Sequence, residues 1–101
     1  MSKYHARPKT VDGIWFHSTK EANRYQELML LSKAGQITSL EFQPKYDLIV
    51  NGLKICTYVA DFRYKEFGQV VVEDVKGVRT PVYRLKAKLM LACHGIEILE
   101  T

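Results

Sequence analysis

A chain of 101 residues with a formal net charge of +4 has room for one domain, 1–101, with one small core. That charge is compatible with a polyanionic partner without requiring one. A hydrophobic fraction of 47% is ordinary for a globular chain. No apolar run approaches the roughly twenty residues of a helical membrane span, so a membrane partner is not expected. Met1 to Thr10 is basic and polar with no apolar region behind it, which argues against a secretion signal and predicts a cytoplasmic protein. Cys56 and Cys93 have neither metal-ligand nor CxxC spacing, so they read as reduced, buried thiols.

In chain order, Met1 to Lys9 carries Lys3, His5, Arg7 and Lys9, with Pro8 and no periodicity. Residues 1–10 read as a mobile basic arm, either a contact for phosphates or a frayed terminus. A turn at Asp12-Gly13 precedes Ile14, Trp15 and Phe16, an apolar cluster expected to plug the core. Ser18 to Glu21 spells the S-x-x-E capping box, which predicts a helix to about Ala34 with Gly35 as its stop. Ala22, Tyr25, Leu28, Met29 and Ser32 fall on one face of that helix and should meet the core.

Ile37 to Phe42 reads as a strand, interrupted at Gln43-Pro44-Lys45 because proline cannot donate to a ladder. Gln43 and Lys45 either end the strand or touch a substrate at the rim of a site. Tyr46 to Val50 is the next strand, and Asn51-Gly52 is a strong hairpin signal. It turns the chain into a strand expected over Leu53 to Tyr64. Beyond a turn around Lys65 to Gly68, the β-branched run Val70, Val71, Val72 predicts an interior strand. Thr80-Pro81 opens a second helix, threonine as cap and proline in the first turn, running to His94 with Gly95 as stop. On it Arg84 and Lys88 share a side four residues apart, with Lys86 nearer the core boundary. Such basic residues are commonly a solvated face. Ile96 to Leu99 is expected to close the sheet.

The chemistry concentrates in Tyr58 to Gly77, YVADFRYKEFGQVVVEDVKG. Alternation along a strand puts Asp74 and Lys76 on one face, with Glu73 and Val75 on the other. A carboxylate at the end of an interior strand is costly unless compensated. Hairpin pairing can bring Asp61 of the preceding strand beside Asp74, and two close carboxylates repel unless a cation lies between them. Hard oxygen donors with no His or Cys cluster select magnesium, or manganese in its place. Glu73 is better read as a rim charge or the partner of a basic residue. His5, His17 and His94 are scattered, although His17 lies close to Glu21 in sequence.

The spacing Asp61 … Asp74-Val75-Lys76, with the element order helix, three or four strands, helix, strand, resembles the PD-(D/E)xK nuclease superfamily. Within it the chain is similar to small phage and archaeal Holliday-junction resolvases. The resemblance covers most of the chain. It departs in having Ala60 where the pattern has proline, and Asp74 where glutamate is frequent.

The resemblance implies an α+β fold with a restriction-endonuclease-like αβββαβ core, a mixed sheet flanked by helices. It implies magnesium held by Asp61 and Asp74, with Glu21 and the main-chain carbonyl of Val75 as further ligands and no organic cofactor. Glu21 by itself reads as the capping residue, whereas FHSTKEANRY matches the position of the family's helix glutamate, which favours the metal-site role. Lys76 would orient the attacking water or stabilise the transition state. Lys86 would contact a phosphate.

The expected function is metal-dependent, structure-specific endodeoxyribonuclease activity on four-way DNA junctions. The expected partners are branched double-stranded DNA and a second copy of the chain, since a four-way junction offers two symmetry-related strands. A nuclease of this fold acting on flaps, ends or restriction-type sites stays open, as does a non-catalytic DNA-binding protein. A structural domain whose acids pair with Lys76 and Arg63 is the remaining alternative.

Overall fold

The computed structural model describes residues 8–101, so Lys3, His5 and Arg7 of the expected arm lie outside the described residues. The elements are β1 (Lys9–Val11), β2 (Ile14–Phe16), α1 (Thr19–Lys33), β3 (Thr38–Phe42), β4 (Lys45–Val50), β5 (Leu53–Val59), β6 (Phe62–Glu66), β7 (Gln69–Asp74), α2 (Pro81–His94) and β8 (Leu99–Glu100). A four-stranded sheet has the order β3-β6-β7-β8; its first three strands are antiparallel and β8 runs parallel to β7. The chain is a mixed α+β fold whose central elements follow the order αβββαβ. The ribbons β1-β2 and β4-β5 are additions to that order.

Both helices start where side chains satisfy their open amides. Ser18 Oγ accepts from the Glu21 N–H at 3.1 Å and Thr80 Oγ1 from the Tyr83 N–H at 3.1 Å. Ala22, Tyr25 and Leu28 of α1 bury against Phe16, Ile37, Phe62 and Tyr64 on one face of the sheet. Met29 and Ser32 complete the stripe only in part. Tyr83 and Met90 of α2 join Leu48, Tyr58, Ala60 and Val72 on the other face. β7 is therefore covered on both sides, and Val72, Glu73 and Asp74 are buried in succession.

The structure corrects several sequence-based expectations. Lys9 and Thr10 belong to β1, paired with Phe16 and Trp15, because Asp12 and Gly13 both take positive φ and close a two-residue hairpin. In a strand only alternate side chains face inward, so Phe16 is buried, Ile14 half-buried and Trp15 half-exposed rather than a joint plug. Leu53 to Tyr64 is two strands broken at Ala60-Asp61. Opposite that break Gln43 takes φ 52° and Pro44 has no N–H, so the long ribbon turns a corner there. The last strand is Leu99–Glu100, since Gly95 caps α2 in the left-handed region and the Ile96 N–H goes back to the Met90 carbonyl at 3.4 Å. Cys56 and Cys93 are free, and half-buried rather than buried. No helix among the described residues is long and apolar enough to cross a membrane.

Glu73 is 0% exposed and points to the α1 face. Arg24 grips it with two bonds, Nε to Oε2 at 2.7 Å and Nη2 to Oε1 at 3.0 Å. The Tyr64 hydroxyl donates at 2.7 Å and the Thr101 hydroxyl at 3.1 Å. Glu73 is thus the partner of a basic residue, as expected, but buried rather than at the rim. Removing one member of a buried pair strands a charge at a cost of roughly 3–5 kcal/mol. Arg24→Ala should therefore lower the urea midpoint strongly, and Arg24→Met combined with Glu73→Gln should recover much of the loss.

Candidate functional site

The corner of the ribbon fixes Asp61. Its N–H donates to the Glu73 carbonyl at 3.2 Å, and its carbonyl accepts from the Gln43 N–H at 3.0 Å. This main chain is held between β3 and β7 while belonging to neither. From there the carboxylate accepts the Val75 N–H at 2.7 Å. Asp74, the last residue of β7, is held through its carbonyl, which accepts from the Thr101 N–H at 3.0 Å. The Lys76 N–H returns to the Thr101 carbonyl at 3.0 Å.

The side chains of Asp74 and Lys76 meet as alternation requires, Nζ to Oδ1 at 3.0 Å. The Lys76 ammonium also lies 3.7 Å from the ring centroid of Tyr83, a cation–π contact that limits where it can go. The other oxygen of Asp74 accepts from the Tyr58 hydroxyl. Burial and the Asp74 carboxylate push the Tyr58 phenol far above its ordinary range, so it acts there as a donor.

Glu21 is buried at the start of α1. Its carboxyl lies near enough to His17 and Asp61 for both to act on its proton affinity. Its N–H is capped by Ser18, and its carboxyl stands close to the Asp61 and Asp74 pair. Its affinity for protons is raised, mainly by burial and also by the Asp74 charge, against a lowering by His17 and Asp61. Asp61 is pushed up to about 8, first by burial, then by the hydrogen bond and charge of Asp74, with Glu21 adding and the Val75 N–H opposing.

These groups open onto a cleft of about 530 Å³ whose walls include Asp61, Asp74, Lys76, Gln43, Lys86 and His17. Lys86 crosses the cleft wall to donate to the Thr57 carbonyl at 3.0 Å. Lys9, Lys45, Arg84 and Lys88 are exposed and do not line the cleft. Val75 contributes its N–H to Asp61 and lines a second hollow behind the site.

Three residues at the site escaped the sequence reading. Tyr58 and Tyr83 hold Asp74 and Lys76, and Lys20 Nζ donates to the Lys76 carbonyl at 2.9 Å. Only Tyr58 left a trace, since it alternates with Ala60 on the face that turns toward Val72. The corner between Tyr58 and Asp61 hides where that face leads.

The donor set suits a hard divalent cation: carboxylate oxygens, crowded and short of positive charge. Asp61, Asp74 and Glu21 would hold it. Among the described residues no three His, Cys, Asp or Glu side chains already stand in a metal-ligand arrangement. Lys76 offsets part of the group's negative charge.

Folded Asp61 keeps its proton to about pH 8, whereas the unfolded chain releases it near pH 4. Across that window the unfolded state binds fewer protons, so stability falls as pH rises from about 4 to about 8. Asp61→Asn should flatten this dependence and raise the urea midpoint at pH 8 relative to wild type, while leaving the midpoint at pH 4 nearly unchanged.

A family model described as "Protein of unknown function (DUF1064)" matches residues 1–95. No match was found among curated proteins or among solved structures. The model spans nearly the whole sequence, from Met1 to Gly95, and the chain therefore belongs to the DUF1064 family.

Proposed function

We propose that the chain is a metal-dependent, structure-specific endodeoxyribonuclease of the PD-(D/E)xK type that resolves four-way DNA junctions as a homodimer in the cytoplasm. The observation that carries this reading is the meeting of Asp61, Asp74 and Lys76 in one cleft at the end of the central strands. There the Lys76 ammonium lies 3.0 Å from Asp74 and a buried tyrosine hydroxyl donates to the other oxygen. Paired buried carboxylates repel a phosphate unless a cation joins them, so a binding module gains nothing from this arrangement.

Asp61 and Asp74, with Glu21 and the Val75 carbonyl, would hold Mg2+, for which Mn2+ would substitute. When bound, such an ion neutralises charge on the scissile phosphate and makes water a better nucleophile near neutral pH. Tyr58 keeps one Asp74 oxygen fixed. Tyr83 keeps Lys76 directed at the carboxylates, where its ammonium can orient water or stabilise charge building on phosphorus. Lys86 and Gln43, on the cleft walls, would meet neighbouring phosphates. No covalent intermediate is needed, since water attacks phosphorus directly.

The test is nicking of a labelled four-way junction beside linear duplex of matching sequence, in magnesium and in chelator. Wild type should make paired, magnesium-dependent cuts near the crossover. Asp74→Ala should abolish them, and Lys76→Ala should slow them by about two to three powers of ten. Equal cutting of the duplex would keep the nuclease and remove the junction preference. No cutting of either substrate, with DNA binding intact in Asp74→Ala, would replace the proposal by a DNA-binding module.

A further inference from the structure

Trp15, the chain's one tryptophan, stands half-exposed at 50% on β2. Its neighbour Phe16 turns inward, so Trp15 and His17 project to the same outer side. Their rings meet edge to face, centroids 4.5 Å apart and planes at 75°. His17 lines the cleft that holds Asp61, Asp74 and Lys76. The indole does not itself line the cleft but packs against a residue of its wall.

The surroundings limit what the indole can receive. Across the hairpin Trp15 faces Thr10, and beside it stands His17, both polar neighbours. It offers an aromatic face among polar groups. Lys76 and Lys86 line the same cleft and Lys20 donates to the Lys76 carbonyl, in a chain of net charge +4. A ligand matching both features carries negative charge beside a flat aromatic group. A nucleic-acid strand does so once per residue, and base–aromatic stacking contributes about 1–3 kcal/mol per base. Inside a duplex both faces of a base are already covered; an unpaired base has a face to give.

We infer that Trp15, steadied by His17, stacks on an unpaired nucleobase next to the phosphate that enters the Asp61–Asp74 cleft. This rests on the nuclease reading and sharpens it: the preferred substrate has an unstacked base beside the cleavage point, as branch points, flaps and frayed ends do, and a continuous duplex does not.

The test is binding, with calcium in place of magnesium, of a short oligothymidylate and of a fully paired duplex. Wild type is followed by Trp15 emission and all variants by anisotropy of the labelled DNA. Saturable quenching by oligothymidylate is expected. Trp15→Ala should weaken oligothymidylate binding about tenfold or more, with duplex affinity and thermal midpoint unchanged. Trp15→Phe should keep most of the affinity. Phe67→Ala, which removes an aromatic 95% exposed at the β6–β7 turn, should change nothing.

Unchanged oligothymidylate affinity in Trp15→Ala overturns the inference, as does equal weakening toward both DNAs, or saturation without an emission change. Magnesium-dependent cleavage surviving alongside any of those results leaves the nuclease reading intact and removes this one alone. Absence of both DNA binding and cleavage removes the two together.

Discussion

The structure depends on how β7 carries two successive acids through an interior covered on both faces. Strand geometry sends Glu73 one way and Asp74 the other, and their surroundings differ completely. Glu73 meets a guanidinium fork and two hydroxyls, which leaves its negative charge balanced. Asp74 meets a phenol, one ammonium and two more carboxyls. The first arrangement is closed and ties α1 to the sheet. The second is short of positive charge and opens onto the cleft.

That asymmetry separates scaffold from chemistry within one dipeptide. Arg24 docks the helix that carries Glu21, so the pair on the far face also sets how near Glu21 comes to Asp61. On the near face the tyrosines do what a second shell of hydrogen bonds does around a metal ligand: they restrict carboxylate and ammonium to few rotamers before any substrate arrives. Tyr83 is itself tied to β8 through its hydroxyl on Glu100 at 2.6 Å, and Arg79 reaches the same carboxylate at 3.2 Å. The second helix and the last strand thus bear on Lys76 without touching the carboxylates.

Much of this was legible in the residues because it depends on local rules. Ser18 and Thr80-Pro81 mark helix starts whatever surrounds them, Asn51-Gly52 marks a hairpin, and period-two alternation separates Asp74 from Glu73. The facing of Asp61 and Asp74 followed from pairing across one turn. The corner at Gln43-Pro44 against Ala60-Asp61 was not legible, because it arises from two distant segments that interrupt each other's pairing, and Phe62 onward looks equally like a continuation of β5. Trp15 was misplaced for a related reason. An apolar triplet read without its partner strand looks like a plug, whereas pairing with Lys9 to Val11 forces the middle residue outward. Tyr58 and Tyr83 depended on that same unseen register and on the docking of α2.

The corner also bears on the order in which the site comes together. Asp61 and the Val75 amide are 14 residues apart along the chain and joined by one hairpin, so closing that loop costs little entropy. Glu73 and Arg24 are separated by 49 residues and Lys86 and Thr57 by 29, and those contacts wait on helix docking. Lys76 belongs to the same segment as Asp74, so any conformation that pairs the two acids brings its ammonium with it. An ammonium two residues from Asp74 acts as an internal counter-ion, present from the first moment at which the carboxylates would otherwise push the nascent hairpin apart.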